Sequence, residues 1–470
     1  MVSELVQEKN PLGYEKISKL IKKFAIPSIV AMIISSLYNI VDQIFIGKGV
    51  GMLGNAATNV SFPLTTICIA IALLVGVGSA TKFSISLGKK DSNEASKVVG
   101  NALWMMIVLG ALYCLLGQIF ISPLLNAFGA TKENFPYAYI YSRIALFGMP
   151  FLIINNALSN LIRADGSPKY SMLSMVVGAI INTILDPIFI FAFDMGVAGA
   201  AYATVISQVV SCFISILYIR NFKRVKLTKE SFKLDLKRCL NISLLGASNF
   251  LNQAAICIVQ IVMNNSLTHY GLLSIYGEDI PLASFGIVMK VNSIFISFFV
   301  GVNQGTQPIL GYNYGAKQYD RVKETYKKSL ILNVIVATIS LLTFQLFPKA
   351  IISIFGNGQE TDLYFEFAIK AMRIFLSMII AVGIQFVSSN FFASIGQPIK
   401  GVALSFSRQI LFVIPLILIL PLFMGIDGIL FAGPISDLLA CIIAIIFIVY
   451  QFKKMKKEEN KMVSKISPIE

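Results

Sequence analysis

Residues 195–208 read Met-Gly-Val-Ala-Gly-Ala-Ala-Tyr-Ala-Thr-Val-Ile-Ser-Gln, and residues 424–437 read Met-Gly-Ile-Asp-Gly-Ile-Leu-Phe-Ala-Gly-Pro-Ile-Ser-Asp. The offset, 424 − 195 = 229, is close to half of the 470-residue chain. Shorter matches recur at nearly the same spacing, such as the turn Gly166-Ser167-Pro168 with Gly396-Gln397-Pro398. An internal repeat of this kind indicates a tandem duplication and predicts two similar halves.

The composition is that of a membrane protein. The chain is 56% hydrophobic and 13% charged, with a mean hydropathy of +0.76, whereas soluble domains carry about 25% charged residues. A membrane-spanning helix needs roughly 20 mostly apolar residues. Twelve stretches meet this requirement: 24–46, 58–81, 98–121, 137–161, 170–193, 197–219, 239–263, 281–306, 329–350, 364–389, 399–421 and 428–450. We therefore predict an all-α polytopic membrane protein with twelve transmembrane helices.

The placement of charge predicts the orientation in the membrane. The net charge is +15, and the basic residues cluster before helix 1, between helices 2 and 3, in 220–238, after helix 8 and in the tail. The alternate loops hold only Lys48, Lys132 and Lys349 as basic residues. This positive-inside pattern predicts that both termini are cytoplasmic and that the chain lies in the cell (inner) membrane. It also explains the basic charge without a nucleic-acid partner.

Each copy of the repeat holds six predicted helices. Because six is even, each copy begins and ends on the same side, as in transporters whose parallel repeats are related by an axis along the membrane normal. We expect two pseudo-symmetric six-helix lobes in a monomeric chain. The expected divisions are a cytoplasmic N-terminal segment 1–23, an N-lobe 24–219, a cytoplasmic linker 220–238 with an amphipathic helix, a C-lobe 239–452 and a cytoplasmic tail 453–470.

Few residues suit enzymatic chemistry. The single histidine is His269, and the six cysteines form no CxxC pair, so we expect no disulfide, zinc, haem or other cofactor. The loops are too short for a soluble catalytic domain. Two carboxylates could share a proton as in an aspartyl protease, but acids inside a membrane more often mark ion or proton pathways. We therefore predict a transporter rather than an enzyme.

Only the first copy carries a pair of carboxylates within strongly apolar helices, Asp42 and Asp186. Tyr38 lies four residues before Asp42, and Asn182 lies four before Asp186, so each pair shares a helix face. Since (186 + 204)/2 = 195, an antiparallel helix pair that turns near 195 places Asp186 and Thr204 at equal depth. These side chains offer oxygen atoms, which hard cations prefer as ligands.

Two further features favour a functional role for the carboxylates. Pro187 has no N–H, so the carbonyl of Thr183 loses its helical partner and the helix is expected to kink. No Lys or Arg falls within helices 1, 5 or 6 at this depth to neutralise the acids. Because an unpaired acid inside a membrane is costly, we expect it to serve a function.

Several stretches resemble the multidrug and toxic compound extrusion (MATE) family, from helix 1 through helix 12. The matching motifs are Tyr38-Asn39-Ile40-Val41-Asp42-Gln43-Ile44-Phe45-Ile46-Gly47, Phe62-Pro63-Leu64, Arg163-Ala164-Asp165-Gly166-Ser167-Pro168-Lys169, Asn182-Thr183-Ile184-Leu185-Asp186-Pro187 and Gln307-Pro308-Ile309-Leu310-Gly311-Tyr312-Asn313-Tyr314-Gly315-Ala316. The resemblance implies an antiporter, driven by Na⁺ or H⁺, that exports drugs or other organic, often cationic compounds.

The resemblance also implies roles for individual residues. The matching positions form a first-lobe site for a proton or a cation such as Na⁺: Asp42, Asn182, Asp186 and Thr204, with Tyr38 and Asn156 as neighbours. Many relatives carry an acid in helix 7, but the stretch Asn249–Asn265 has none, and Asn292 stands where an acid is common in helix 8. These departures argue against coupling through the second lobe.

The second copy carries its own charges within the apolar helices. Arg408 and Asp437 have their midpoint at (408 + 437)/2 = 422.5, in the turn before Met424, so they lie at equal depth. We expect a buried structural ion pair rather than an ion-coupling site. Lys290 is either a rival partner for Asp437 or a charge that faces the substrate.

The expected partners are small organic substrates and the lipid bilayer. Aromatic and methionine side chains suit flat hydrophobic cations through cation–π and soft contacts. The candidate cavity residues are Tyr141, Met175, Phe285, Met289 and Lys290. Two alternatives stay open. A flippase for lipid-linked saccharides should show a strongly cationic cavity, and a channel or structural membrane protein needs no difference in charge between the lobes.

Overall fold

The structure is a computed structural model that describes residues 10–277, 279–355 and 362–466. Parts of the predicted terminal segments, residues 1–9 and 467–470, lie outside the described residues. Within these ranges we number the long helices α1 to α12. They are α1 Ile17–Val50, α2 Met52–Gly88, α3 Ser92–Ile119, α4 Phe135–Ala164, α5 Pro168–Pro187, α6 Gly196–Leu217, α7 Leu236–Leu272, α8 Asp279–Gly315, α9 Tyr319–Leu346, α10 Asp362–Phe375 with Ile379–Ser394, α11 Pro398–Phe406 with its continuation to Met424, and α12 Ile426–Ile466.

Eleven helices of the described residues are long and apolar enough to span a membrane, and the number is twelve when the two pieces of α10 count as one span. Together with the absence of strands from the described ranges, this confirms the prediction of an all-α protein with twelve transmembrane helices. Short helical segments fill some connections: Pro11–Gly13, Ile121–Ala127, Tyr218–Asn221, Lys229–Phe232 and Pro348–Phe355.

Three departures from regular helix geometry are the largest in the described residues, besides a turn at Leu420 near the end of α11. The two pieces of α10 are bent by 48°. α5 changes at Pro187 into a π-helical segment, Ile188–Ala192, because proline cannot donate to the preceding turn. α11 contains a second π-helical segment, Ser407–Val413. π-Helical turns occur frequently at functional sites.

The linker differs from its prediction. It contains short 3₁₀ turns, Tyr218–Asn221 and Lys229–Phe232, joined by irregular backbone, so the expected amphipathic helix is wrong. The side chain of Asp165 holds this segment by accepting hydrogen bonds from the backbone N–H groups of Lys223 and Arg224 at 2.7 and 2.9 Å. Fixed polar contacts of this kind hold the backbone without a helix.

The two lobes meet through α1 against α8 and through α2 against α7 and α8. Small residues permit this approach, as is common between membrane helices. A Cβ atom added at Gly301 or Gly305 of α8 would lie 2.5 Å from the Cα of Ile29 or Ala25 of α1. These glycines therefore let the lobes pack backbone to backbone.

The contacts between lobes lie near one end of the molecule, which we call the linker end because residues 218–235 lie there. The opposite end is the far end. Near the linker end, Ile242 of the C-lobe belongs to a core cluster of the N-lobe, and Ile309 packs with Leu20 and Phe24. The clusters nearer the far end each belong to a single lobe. Among the described residues, the core clusters shared by both lobes thus lie at the linker end. We call the interlobe region between α1, α2, α7 and α8 toward the far end the cleft.

Candidate cation-coupling site

Side chains from α1, α5 and α6 meet within the N-lobe. Asp186 is fully buried and Asn182 is 2% exposed. The Asn182 amide nitrogen lies 3.2 Å from Oδ1 of Asp186 and 3.4 Å from the Thr204 hydroxyl. Asp42 of α1 lies within side-chain hydrogen-bonding reach of Asp186. The structure therefore brings together the four residues that the sequence places in one site.

The site holds more acceptors than donors. Three buried oxygens have no hydrogen-bond donor among the described residues: Oδ1 of Asp42, Oδ2 of Asp186 and Oδ1 of Asn182. None of the ion pairs formed by the described residues includes either carboxylate. Buried polar atoms normally have a partner, and two adjacent carboxylates cannot readily both stay charged. A proton or an oxygen-seeking cation satisfies both requirements.

Two tyrosines border the carboxylates. Tyr38 lies near both Asp42 and Asp186, as the helical spacing on α1 indicates. Tyr141 of α4 also lies near them and near the Thr204 hydroxyl. From the sequence, Tyr141 is predicted only as a residue of the substrate cavity. Its position six residues after the start of α4 was the available signal, because it gives nearly the same depth as Asp42 and Asp186.

Asn156 makes its hydrogen bonds elsewhere. Its amide nitrogen donates to the Leu152 carbonyl of the same helix at 3.1 Å, and its own backbone carbonyl accepts from Asn160. The structure thus shows no side-chain hydrogen bond from Asn156 to the carboxylate pair.

Met175, a candidate cavity residue, is half-buried on α5.

The candidate cavity residues of α8 separate into two groups. Phe285 is 4% exposed and packs edge-on against Phe375 in the core of the C-lobe, so it does not line the cleft in this conformation. Met289 and Lys290 are exposed. Lys290 is five positions after Phe285, which places it about 140° around the helix, on the side away from the C-lobe core.

The C-lobe holds its buried charges differently. Arg408 lies in the π-helical segment of α11, and its Nε donates to Oδ1 of Asp437 on α12 at 2.6 Å. The Asp437 side chain is 6% exposed and that of Arg408 is 19% exposed. The two residues that the sequence places at equal depth form this ion pair.

The contacts that join the lobes at the linker end were not predicted from the sequence. Arg321 of α9 donates to the carbonyls of Leu12 and Glu15, in the segment before α1, at 3.0 and 2.7 Å. Arg238, at the start of α7, pairs with Glu94 of α3 at 2.8 Å. Positions 94 and 321 are 321 − 94 = 227 residues apart, close to the repeat offset. This spacing was the available signal that equivalent positions of the two copies make the contacts between the lobes.

The whole chain resembles known transporters in sequence and fold. Multidrug export protein MepA of Staphylococcus aureus is 26% identical over 444 residues, 94% of each chain, and MepA of Staphylococcus haemolyticus is 25% identical over 449 residues, 93% of this chain and 94% of that protein. An outward-facing multidrug resistance MATE family transporter of the MOP superfamily superposes with a TM-score of 0.89 at 24% identity, covering 95% of this chain and 98% of the other. A MATE structure in complex with MaD5 superposes with a TM-score of 0.85 at 25% identity, covering 94% and 97%.

The decisive comparison is with a family model. The model described as MatE matches residues 27–188 and again residues 247–419, once in each half of the chain. The two matches together span well over half of the sequence. With the two-lobe, twelve-helix fold and the duplicated sequence, they show that the chain belongs to the MatE family.

Proposed function

We propose that the chain is a cation-coupled antiporter that exports organic, mainly cationic compounds by alternating access. The named relatives are multidrug export proteins and multidrug resistance transporters, which supports small drugs or toxic compounds as the exported class. The coupling ion is Na⁺ or H⁺, and the site is formed by Asp42, Asn182, Asp186 and Thr204.

The unpaired buried oxygens carry this proposal. Charged carboxylates inside a membrane are costly unless they are neutralised. No base among the described residues lies at this site, so a mobile cation or proton supplies the positive charge. Such an ion enters and leaves, whereas a fixed arginine does not. The requirement for a mobile counter-ion is what couples the site to an ion gradient.

The position of the site supports a link to substrate movement. Asp42 is on α1, and the same helix packs against α8 of the other lobe nearer the linker end. When an ion draws Asp42 and Asp186 together, α1 shifts relative to α5 and α6. Because α1 contributes to the interlobe contact, this shift alters the cleft wall and weakens the hold on the substrate.

We further propose that the linker end is cytoplasmic, in the inner membrane of the cell, and that the monomer is the transporting unit. The basic loops and the starts and ends of the described helices nearest the termini, at Ile17 and Ile466, lie at this end, in agreement with the positive-inside rule. The test is labelling of intact cells with an impermeant thiol reagent, in a background without native cysteines. A cysteine at Ser274 should react and one at Lys229 should not, and the reverse result would refute this orientation.

The function is tested in proteoliposomes loaded with a fluorescent organic cation. A Na⁺ gradient and a pH gradient are imposed separately, with the membrane potential clamped in both cases. Counter-movement of the cation should follow one of the two gradients and stop when that gradient is collapsed. If the flux of the organic cation is the same under either gradient as in the absence of both, antiport is excluded and a channel is favoured.

A further inference from the structure

Lys290 lies on the face of α8 that is directed toward the other lobe. Seven residues along α8 from Lys290, the Ser297 hydroxyl contacts the Ser36 hydroxyl of α1 at 2.5 Å. Seven residues come within about 20° of two full helical turns. The exposed Lys290 side chain therefore points toward α1 and the cleft. Its ammonium has no ion pair or hydrogen bond with any described residue.

The same contact gives the depth of Lys290. The helices α1 and α8 run in opposite directions, so Asp42 and Lys290 both lie on the far-end side of the pair Ser36 and Ser297. Asp42 is six residues away on α1, and Lys290 is seven residues away on α8. At about 1.5 Å per residue, the two charges lie at nearly the same depth in opposite lobes. Asp42 lies about 120° around α1 from Ser36 and is directed toward Asp186.

Helix α7 adds amide groups to the same wall. Gly246 packs against the backbone of Leu74 in α2, which identifies the interlobe face of α7. Gln253, Gln260 and Asn264 follow this glycine by seven, fourteen and eighteen residues, close to two, four and five turns. They therefore share its face, and Gln260 and Asn264 are exposed.

The charge on this wall is positive. Gln260 lies twelve residues before the end of α7, and Lys290 lies eleven residues after the start of α8, so they are at similar depth. The only acidic residue in either helix is Asp279, at the first position of α8. The C-lobe wall thus offers an ammonium and amide groups, while the N-lobe offers carboxylates.

We propose that Lys290, assisted by the amide of Gln260, binds an anionic group on the transported compound. The compound is an apolar molecule that carries a carboxylate, sulfonate or phosphate in addition to its cationic group. This inference rests on the proposed function, because it assumes that the transported compound enters the cleft.

The chemistry of the wall supports this class of ligand. Hydrogen bonds from an ammonium to an anion are short and strong, and they gain strength where water is scarce. A simple anion would be repelled when the opposite carboxylates are charged. A zwitterion complements both walls, with its cation toward the N-lobe and its anion toward Lys290.

Binding of two matched dyes to the purified full-length protein tests the proposal. One dye is a rhodamine methyl ester, a cation, and the other is its free acid, which adds a carboxylate to the same ring system. Fluorescence anisotropy gives the affinity of each. Lys290→Gln should weaken binding of the acid about tenfold, in line with the loss of one hydrogen bond to a charged group, and leave the ester unchanged or bound more tightly. Lys290→Arg should preserve binding of the acid.

Lys349→Gln is the matched control, since Lys349 is an exposed lysine beyond α9 at the far end, and it should change neither affinity. Equal weakening of both dyes by Lys290→Gln, or no weakening of the acid, would overturn the proposal. Displacement of the acid by a short-chain phosphatidylglycerol would identify the natural anionic group as a lipid headgroup, and resistance to it would identify a soluble compound. Binding requires no gradient, so absence of gradient-driven transport would refute the antiport proposal and leave this result standing.

Discussion

Each lobe buries charge within the membrane region, but the two lobes neutralise it in different ways. In the C-lobe, Arg408 and Asp437 neutralise each other at 2.6 Å. In the N-lobe, Asp42 and Asp186 face each other and the described structure provides no base. A charge with a fixed partner contributes to structure, whereas a charge without one is free to bind a mobile ion. Under the proposed function, the buried charges of the C-lobe stabilise the fold and those of the N-lobe bind the coupling ion.

The lobes also differ in charge at equivalent positions of the linker end. Glu94 in the N-lobe binds Arg238 at the start of α7, and Arg321 in the C-lobe binds carbonyls of the segment before α1. In both cases, one lobe holds the segment that leads into the first helix of the other lobe. The docking is preserved although the charge is reversed, because a carboxylate and a guanidinium can each find a partner at a helix start.

The largest effect is expected when the N-lobe charges are removed. Asp42→Asn or Asp186→Asn keeps the volume of the side chain and removes its titratable charge. We expect either variant to lose gradient-driven efflux entirely while it still inserts and folds. Transport in proteoliposomes and yield of the purified monomer measure the two effects.

Asp194→Asn is the matched control for these variants, since Asp194 is exposed in the turn between α5 and α6. Asparagine tolerates the positive φ of 52° at this position, so transport should be unchanged. If the Asp42 and Asp186 variants pump at the wild-type rate under a gradient, the coupling site lies elsewhere and Asp437 is the next residue to test.

The second prediction concerns the C-lobe pair. Asp437→Asn leaves Arg408 as an uncompensated buried charge, and removal of one partner of such a pair costs about 3–5 kcal/mol of stability. Replacing both residues, with Arg408→Met and Asp437→Leu, should recover most of this loss. Thermal unfolding in detergent measures the stability of each purified single variant and of the double variant. Additive losses in this double-mutant cycle would show that the two residues are not coupled.

The smallest effect is expected from Thr204→Ala. This change removes one neutral oxygen from the N-lobe site and leaves both carboxylates. The loss of one hydroxyl ligand should cost about 1 kcal/mol, or roughly fivefold in affinity for the coupling ion. The measurement is the ion concentration that gives half-maximal transport. An unchanged value would remove Thr204 from the site, and complete inactivity would make it as important as the carboxylates.

Much of this protein follows from its sequence alone. Hydropathy gives the spans because every apolar segment must cover the bilayer thickness, and the repeat gives the two lobes. Equal depth on rigid helices places Asp186 beside Thr204 and Arg408 beside Asp437, because the rise per residue of a helix is constant. The break in α10 and the linker turns were not predicted, because local backbone irregularity depends on tertiary contacts.

The tertiary structure alone decides which helix faces meet. Tyr141 lies beside the carboxylate pair and Phe285 is buried in the C-lobe core, although both are aromatic residues in apolar helices. The contact between Ser36 and Ser297 joins residues 261 positions apart, and this contact sets Lys290 at the depth of Asp42. Depth along one helix is a local property, whereas rotation and lobe separation arise only when all twelve helices pack together.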